Sequence, residues 1–118
     1  MTTIGNNMKW TMNSALREKL RAFFEQGLEA KRVKEEPAMD VFSLVPGGTI
    51  AVIYVDPSKA LTAEQLATSP WLEFLSPKLG DAIARLDKLG VERLEYFDKA
   101  NVYFKAPGGV VFRIAAAA

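Results

Sequence analysis

The first half of the chain alternates between apolar and polar residues in short runs, with one longer run at helical spacing. Met8–Met12 alternates with a period of two, which predicts a strand. Val41–Val45 and Thr49–Val55 are β-rich runs on either side of Pro46-Gly47-Gly48, which predicts a hairpin because glycine permits the positive φ of tight turns. Between the first strand and this hairpin, five apolar residues recur at the spacing of one helix face: Leu16, Leu20, Phe23, Phe24 and Leu28.

The second half predicts the same order of elements. Trp71–Leu75 predicts a strand, and Ser76 followed by Pro77 is a favourable helix start. Gly90 predicts the end of that helix. The stripe of the helix that we expect to be buried comprises Leu79, Ile83, Leu86 and Leu89. Leu94–Phe97 is predicted to be a strand or an extended entry, and Asn101–Lys105 and Val110–Ala115 are predicted to form the second hairpin.

The two halves are related by a repeat at a constant offset. Pro46-Gly47-Gly48 recurs as Pro107-Gly108-Gly109, 61 residues later. The same offset pairs further identical residues: Trp10 with Trp71, Leu28 with Leu89, Arg32 with Arg93, Val41 with Val102 and Ile53 with Ile114. Such a repeat predicts one structural unit used twice. We therefore expect a single domain, 1–118, with βαβββ modules at 8–56 and 71–115 and a linker at 57–70 that contains one helical turn, because Thr62 and Gln65 fit a capping box.

Composition narrows the class of protein. The chain has 118 residues, of which 49% are hydrophobic and 25% charged, as in an ordinary soluble globular domain. The net charge is +1 and the basic residues are scattered, so we expect no nucleic-acid partner. No apolar run reaches the ~20 residues of a membrane span. Met1–Asn7 lacks the apolar centre of a signal peptide, so we expect a cytoplasmic protein that does not associate with a membrane.

Two residue types are missing, and their absence restricts the chemistry. The chain has no cysteine, which excludes a disulfide framework and thiol catalysis. It also has no histidine, the commonest metal ligand and the usual general base near neutral pH. A Ser-His-Asp triad or a histidine-ligated zinc site is therefore excluded, whereas a metal site made only of carboxylates is not.

Three stretches resemble the vicinal oxygen chelate superfamily, which includes glyoxalase I, bleomycin-resistance proteins and extradiol dioxygenases. Phe23–Glu29 resembles the motif at the end of the family's first helix. Trp71–Leu75 with Leu79–Leu86 resembles the strand and helix that open its second module, and Ala106–Ile114 resembles its final hairpin. The resemblance implies an α+β fold in which two tandem βαβββ modules form a curved mixed sheet shaped as a cup, with helices on the outer face. All three are scaffold motifs, so they support the fold more strongly than an activity.

The resemblance also implies where metal ligands would lie. The family's metal enzymes place ligands on the first and last strand of each module, and these positions fall on Trp71 and Arg113 in the second module. Subtracting 61 gives Trp10 and Val52 as the corresponding positions of the first module. None of these four side chains can bind a divalent metal, and Arg113 would repel one. We therefore expect no metal and no other cofactor.

Strand alternation extends these positions to a predicted cup face. We expect seven residues to bind a ligand: Trp10, Met12, Val52, Tyr54, Trp71, Glu73 and Arg113. A surface of this kind suits a small hydrophobic or planar aromatic molecule, with Arg113 or Glu73 orienting a polar group. Alternatively, the tryptophan and methionine side chains could fill the cup or bury a dimer interface, and Glu73 and Arg113 could simply neutralise each other.

The first hypothesis is therefore a small-molecule-binding protein of the glyoxalase/bleomycin-resistance type that lacks the usual metal ligands. The alternative is a related enzyme, a lyase, isomerase or dioxygenase with an atypical or absent metal, for which Glu73 and Tyr54 are the weak catalytic candidates. A third possibility is an interaction module whose cup is closed by self-association. A homodimer is the expected assembly in each case.

Overall fold

The structure, a computed structural model, describes residues 1–44 and 47–117. The first module contains the strands β1 (Asn7–Asn13), β2 (Lys31–Glu36), β3 (Met39–Ser43) and β4 (Thr49–Val55), and its helix α1 (Arg17–Ala22) continues as a π-helical segment, Phe23–Gly27. The linker contains the short helix α2 (Ala63–Ala67). The second module contains β5 (Leu72–Ser76), the helix α3 (Leu79–Lys88), β6 (Glu92–Leu94), β7 (Val102–Lys105) and β8 (Val111–Ala116).

The strands form two four-stranded mixed sheets of identical topology. The first has the order β1-β4-β3-β2 and the second the order β5-β8-β7-β6. In each sheet the first and last strands of the module are parallel neighbours, and the other pairs are antiparallel. The prediction of an α+β fold made of two tandem βαβββ modules is confirmed. The charged run Lys31–Glu36, which the sequence left without a definite assignment, is the edge strand β2.

The helix-covered faces of the two sheets meet in one shared core. Phe23 and Phe24, adjacent in the π-helical segment, are both fully buried. Phe24 stacks on Phe42 of the first sheet at a centroid distance of 4.4 Å, whereas Phe23 contacts Phe112 of the second sheet at 5.4 Å. Adjacent residues of a helix project in directions roughly 100° apart, so two neighbouring side chains can reach different sheets. One segment of the first module therefore joins both sheets, and the helices lie between them.

The remaining face of each sheet, turned away from the helices, is here called the open face. In the first sheet it carries rows of paired residues: Lys9, Ala51, Val41 and Lys34, and next to them Thr11, Ile53, Met39 and Glu36. In the second sheet the corresponding row is Glu73, Arg113, Tyr103 and Leu94. The two open faces belong to separate sheets, so one chain presents two half-cups rather than one continuous eight-stranded cup.

The second Pro-Gly-Gly forms a tight turn that packs against the rest of the molecule. Gly108 and Gly109 have φ values of 95° and 114°, which favour glycine. A Cβ atom at Gly109 would lie 2.7 Å from the Cα of Ala63, so α2 rests directly on this turn. The hairpin β7–β8 is therefore as predicted. The first hairpin, β3–β4, is also present, but Val45 and Pro46 of its predicted turn lie outside the described residues.

Some element boundaries differ from the predicted ones. The strand predicted at Leu94–Phe97 is β6 at Glu92–Leu94, and residues 95–97 follow it without strand structure. The capping box of α2 is present, with Thr62 and Gln65 bonding each other's backbone N–H groups. The helix α3 begins at Leu79 rather than at Pro77, because Ser76 is still part of β5 and its hydroxyl accepts a hydrogen bond from the backbone of Lys78. Within the described residues, no helix has the length and apolar character needed to cross a membrane.

Candidate functional site

The open face of the second sheet carries a compact cluster of aromatic and charged side chains. The parallel pairing of β5 with β8 places Glu73 opposite Arg113, and the antiparallel pairing of β7 with β8 places Tyr103 opposite Arg113. Trp71 immediately precedes β5, and Tyr96 and Asp98 follow β6. These six residues, Trp71, Glu73, Tyr96, Asp98, Tyr103 and Arg113, are here called the Trp71 cluster.

Arg113 is the centre of the Trp71 cluster. Its guanidinium lies over the indole of Trp71, with Cζ 4.7 Å from the ring centroid, a geometry that favours a cation–π interaction. Its Nη2 and Nε atoms both contact Oε2 of Glu73, at 2.6 and 2.7 Å. Its Nη1 atom lies 3.6 Å from Oδ2 of Asp98. The guanidinium is therefore held between two carboxylates and against one aromatic ring.

Aromatic edge contacts complete the surface around Arg113. Trp71 and Tyr96 each meet the ring of Tyr103 edge-on, at centroid distances of 5.6 and 4.7 Å. Tyr103 is buried beneath them, whereas Trp71 is 39% exposed. Phe97, which packs on Tyr96, is 85% exposed. An aromatic surface of this kind, partly open to solvent beside charged groups, can bind a planar molecule by stacking.

Three groups of the cluster have shifted pKa values. The hydrogen bond to Glu73 raises the pKa of Arg113, so the guanidinium stays charged. Hydrogen bonds from the Asn101 side chain and the Ala100 backbone lower the pKa of Asp98, which keeps that carboxylate ionised at neutral pH. Burial, followed by the hydrogen bond that its hydroxyl donates to Asp98, raises the pKa of Tyr103. The cluster therefore combines the charged guanidinium of Arg113 with the ionised carboxylate of Asp98.

These residues do not fit a divalent metal ion. The space between Glu73 and Asp98, where an ion would be coordinated, is taken by the guanidinium of Arg113. A divalent ion would have to displace this permanent cation and break its contacts with both carboxylates and Trp71. Across residues 1–44 and 47–117, no three histidine, cysteine, aspartate or glutamate side chains are grouped so that they could hold a metal.

The structure brings three of the seven predicted ligand-binding residues together on an open face and separates them from the other four. Trp71, Glu73 and Arg113 are neighbours, and the ion pair that was one alternative for Glu73 and Arg113 is formed. The placement of the remaining residues on the cup face was wrong. All four are buried against the helices: Trp10, Met12, Val52 and Tyr54.

The physical reason for this error is the strand register. Corresponding inner residues of the two modules are Phe42 and Phe104, and Val52 and Ile114, an offset of 62 rather than 61 residues. A shift of one residue moves every side chain of a strand to the opposite face. Trp10 consequently packs on Phe24, at 5.2 Å between ring centroids, and not on an open sheet.

The weak catalytic candidate Tyr54 belongs to a second cluster inside the first module. Its hydroxyl donates a hydrogen bond of 2.8 Å to Oδ2 of Asp40, whose side chain is completely inaccessible to solvent. Arg17 and Arg21, one helical turn apart in α1, each bind both carboxylate oxygens of Asp40. We call Asp40, Arg17, Arg21 and Tyr54 the Asp40 cluster. Its location beneath α1 removes Tyr54 from any open face.

Hydrogen bonding decides the ionisation of the Asp40 cluster. Burial alone would raise the pKa of Asp40, but the hydrogen bonds from Arg21, Arg17 and Tyr54 together hold it well below its usual range. Burial, followed by the hydrogen bond to Asp40, raises the pKa of Tyr54 far above its usual value. The carboxylate is thus a fully satisfied anion that fastens α1 to β3, and Tyr54 is a poor general base.

Asp98 and Phe97 were not predicted to be part of a site, and the contacts of Tyr96 and Tyr103 in the Trp71 cluster were not predicted either. A local signal was present for Asp98, because its side chain accepts hydrogen bonds from Ala100 and Asn101 in the manner of an Asx turn. No local signal places Tyr96 beside Tyr103, since that contact depends on how the loop after β6 returns to the sheet.

No protein-family model and no curated protein sequence matches this chain. Solved structures do match over its full length. The fosfomycin resistance protein FosX from Listeria monocytogenes, in complex with Mn(II) and sulfate, gives a TM-score of 0.74 at 15% identity over 93% of that chain. A Bacillus anthracis protein assigned to the glyoxalase family gives 0.75 at 13% identity over 98%. A V. cholerae integron cassette protein gives 0.70 at 15% identity over 98%. At these identities the comparison establishes the glyoxalase-type fold.

Proposed function

We propose that this chain is a small-molecule-binding protein of the glyoxalase/bleomycin-resistance type, whose ligand is a hydrophobic or planar molecule that stacks on the Trp71 cluster. The observation that carries the proposal is the aromatic surface formed by Trp71, Tyr96 and Phe97 around a fixed guanidinium. A stacked ring would cover exposed aromatic carbon, which supplies apolar burial without desolvating an unpaired charge.

Charged groups of the cluster would set the orientation of the ligand. Both contacts from Arg113 to Glu73 use the same oxygen, Oε2. The other oxygen of Glu73 is therefore available to accept a hydrogen bond from a ligand donor. Binding here is sequestration without covalent change, which differs from the related enzymes that use a bound metal.

We further propose that a second copy of the chain completes the site. One chain carries two half-cups, and the open face of the first sheet has an apolar centre, Ala51, Val41, Ile53 and Met39. This centre is flanked by Lys9 and by Lys34, whose charge is neutralised by Glu36, so the face has a net charge of +1. The Trp71 cluster has one more acidic than basic group, so the two open faces are complementary in charge. A homodimer in which each first sheet covers the partner's second sheet would enclose two ligand sites. We propose a cytoplasmic location for this dimer.

A thermal-shift screen with planar aromatic compounds, beginning with indole, quinoline and 2-naphthol, tests the binding site. A ligand that binds only the native state at 100 times its Kd stabilises it by about 2.7 kcal/mol, which raises Tm. Trp71→Ala and Arg113→Leu are expected to abolish this rise, whereas Leu61→Ala, which alters an exposed apolar residue in the linker, preserves it. The proposal fails if no compound stabilises the protein, or if stabilisation survives Trp71→Ala.

Sedimentation velocity tests the dimer separately. Lys9→Glu reverses an exposed charge on the first open face and is expected to shift the protein towards monomer and to weaken ligand binding. Lys78→Glu, an exposed lysine before α3, is the matched control. A wild-type protein that sediments only as monomer removes the dimer from the proposal. Metal analysis of the purified protein tests the enzymatic alternative, which predicts a stoichiometric divalent ion.

A further inference from the structure

A cavity of about 450 Å³ lies where the end of α1, the segment after α3 and the second Pro-Gly-Gly turn meet. Its walls come from three parts of the chain: Lys19 to Phe23 in the first module, Leu89 to Glu92 after α3, and Lys105 to Gly109 around the second Pro-Gly-Gly turn. Ala63 of α2 closes one side. We call it the hairpin cavity. Its volume is within the range of about 300–1,000 Å³ typical of small-molecule sites.

The inner wall of the hairpin cavity is apolar and rigid. Phe23, which is fully buried and packs against Phe112 and Trp10, forms its floor. The turn that forms the opposite wall is held in place, because a Cβ atom at Gly108 would overlap the methyl group of Met12 and one at Gly109 would press on Ala63. Leu89, partly exposed at the rim, adds further apolar surface. Such a preformed wall binds an apolar body with little loss of conformational entropy.

The rim of the hairpin cavity is positively charged. Lys19 and Lys105 both line the cavity, and Glu92 is the acidic residue among the lining side chains. The Nζ atom of Lys105 is 3.4 Å from the carboxylate of Glu92, which neutralises one of the two cations. Lys19 is exposed to solvent. The rim therefore has a net charge of +1 above an apolar floor.

We propose that the hairpin cavity binds a small amphipathic anion, an organic carboxylate or sulfonate whose one- or two-ring apolar body rests on Phe23 while its anionic group meets Lys19 and Lys105. This site is independent of the Trp71 cluster. The two sites select ligands of different chemistry, since the Trp71 cluster carries a net negative charge and the hairpin cavity a net positive one. Occupation of the cavity would also brace the contact between the turn and α2.

Naphthalene-1-sulfonate is a suitable probe, and 1-naphthylmethylamine offers a related ring system with the opposite charge. In a titration followed by amide ¹H–¹⁵N NMR, the sulfonate is expected to shift the signals of Gly90, Gly108 and Gly109, which line the cavity. The amine is expected to bind at least tenfold more weakly. Shifts confined to Glu73 and Tyr103, or equal affinity for the two probes, would overturn the proposal.

Charge-reversal variants test whether the lysines at the rim determine the affinity for naphthalene-1-sulfonate. Lys19→Glu and Lys105→Glu are each expected to weaken sulfonate binding at least fivefold, whereas Lys78→Glu, at the other end of α3, leaves it unchanged. If a reversed charge impairs folding, Lys19→Gln, which removes the charge alone, is expected to weaken binding at least twofold. Arg113→Leu should have no effect, so this result is separable from the outcome of the Trp71 screen. Wild-type affinity in the folded lysine variants would refute the assignment.

Discussion

The two modules build sheets of the same topology but place their central ionic clusters on opposite faces. In the first module the central ionic group, Asp40, lies on the inner face beneath α1 and is inaccessible to solvent. In the second module the residue at the equivalent inner position is Val102, and the ionic group, Arg113, lies on the open face. The same scaffold therefore places an ion cluster where it can serve stability in one half and where it can meet a ligand in the other.

The difference follows from the desolvation of charge. A carboxylate that is removed from water requires several strong hydrogen bonds, and Asp40 has them from Arg17, Arg21 and Tyr54. A partly exposed ion pair is only weakly stabilising, so its partners can be rearranged at small cost. Glu73 and Arg113 form a pair of this second kind. An ionic cluster on the inner face of its sheet therefore stabilises the fold, whereas one on the open face can be rearranged to contact a ligand.

The largest loss of stability is expected from Asp40→Asn, which removes the carboxylate at the centre of the buried Asp40 cluster. The substitution removes the negative charge and leaves Arg17 and Arg21 largely buried without their anion. We expect a loss of about 3–5 kcal/mol in the free energy of unfolding, measured by urea denaturation. Glu95→Gln removes an exposed carboxylate that pairs with Lys99 and should cause no measurable change. A tolerated Asp40→Asn would mean that the Asp40 cluster does not stabilise the fold.

A smaller loss is expected from Gly109→Ala. The residue has φ 114°, and an added Cβ would press on the backbone of Ala63, so both strain and overlap destabilise the variant by about 1–3 kcal/mol. Gly80→Ala is the matched control, because Gly80 lies in α3 with open space around it. There alanine should raise stability by up to about 1 kcal/mol. Urea midpoints distinguish the two, and equal shifts would show that the turn is not closely packed.

The pH dependence of stability tests whether Asp40 is ionised in the folded protein. Because the folded-state pKa of Asp40 is held below its unfolded value of about 3.9, its contribution is complete at higher pH and is lost as pH falls through the folded value. The difference in unfolding free energy between wild type and Asp40→Asn should be constant from pH 7 to 5 and shrink below about pH 4. A difference that stays constant down to pH 2 would contradict the assigned ionisation.

The smallest effect on stability is expected at the open face. Glu73→Gln weakens a partly exposed pair, so the urea midpoint should change far less than in Asp40→Asn. Binding of a planar ligand should nevertheless weaken, because Arg113 loses its anchor and shifts over Trp71. Isothermal titration with a compound identified in the thermal-shift screen measures this separation of stability from binding. A large loss of stability would show that the Trp71 cluster is structural.

Much of the fold could be predicted because its signals are local. Alternation identified β1 and β4, glycine identified the hairpin β7–β8, and the repeat indicated two modules. The prediction of which first-module residues lie on the open face was wrong because it used an offset of 61 residues between the modules. The identical pair Trp10 and Trp71 favoured that offset. Those two tryptophans are not structural equivalents, since Trp10 lies in the core, whereas Trp71 precedes β5 and lies on the open face of the second sheet.

Only part of the candidate site could be predicted from the sequence. Trp71, Glu73 and Arg113 follow from strand alternation in the second module, where the register was right. The Asp40 cluster depends on contacts between α1 and a strand about 20 residues later, which periodicity alone does not reveal. One signal was available: Arg17 and Arg21 are four residues apart, so they share a helix face, and an inward-facing acid is needed to compensate them.

The π-helical segment has a consequence for how the protein can be divided. Phe24 covers Phe42 within the first half, whereas Phe23 covers Phe112 of the second half, so separating the halves would expose Phe23 on one fragment and Phe112 on the other. Severing the chain between the repeats would therefore yield fragments that must find each other to fold. Either module on its own is therefore expected to be unstable.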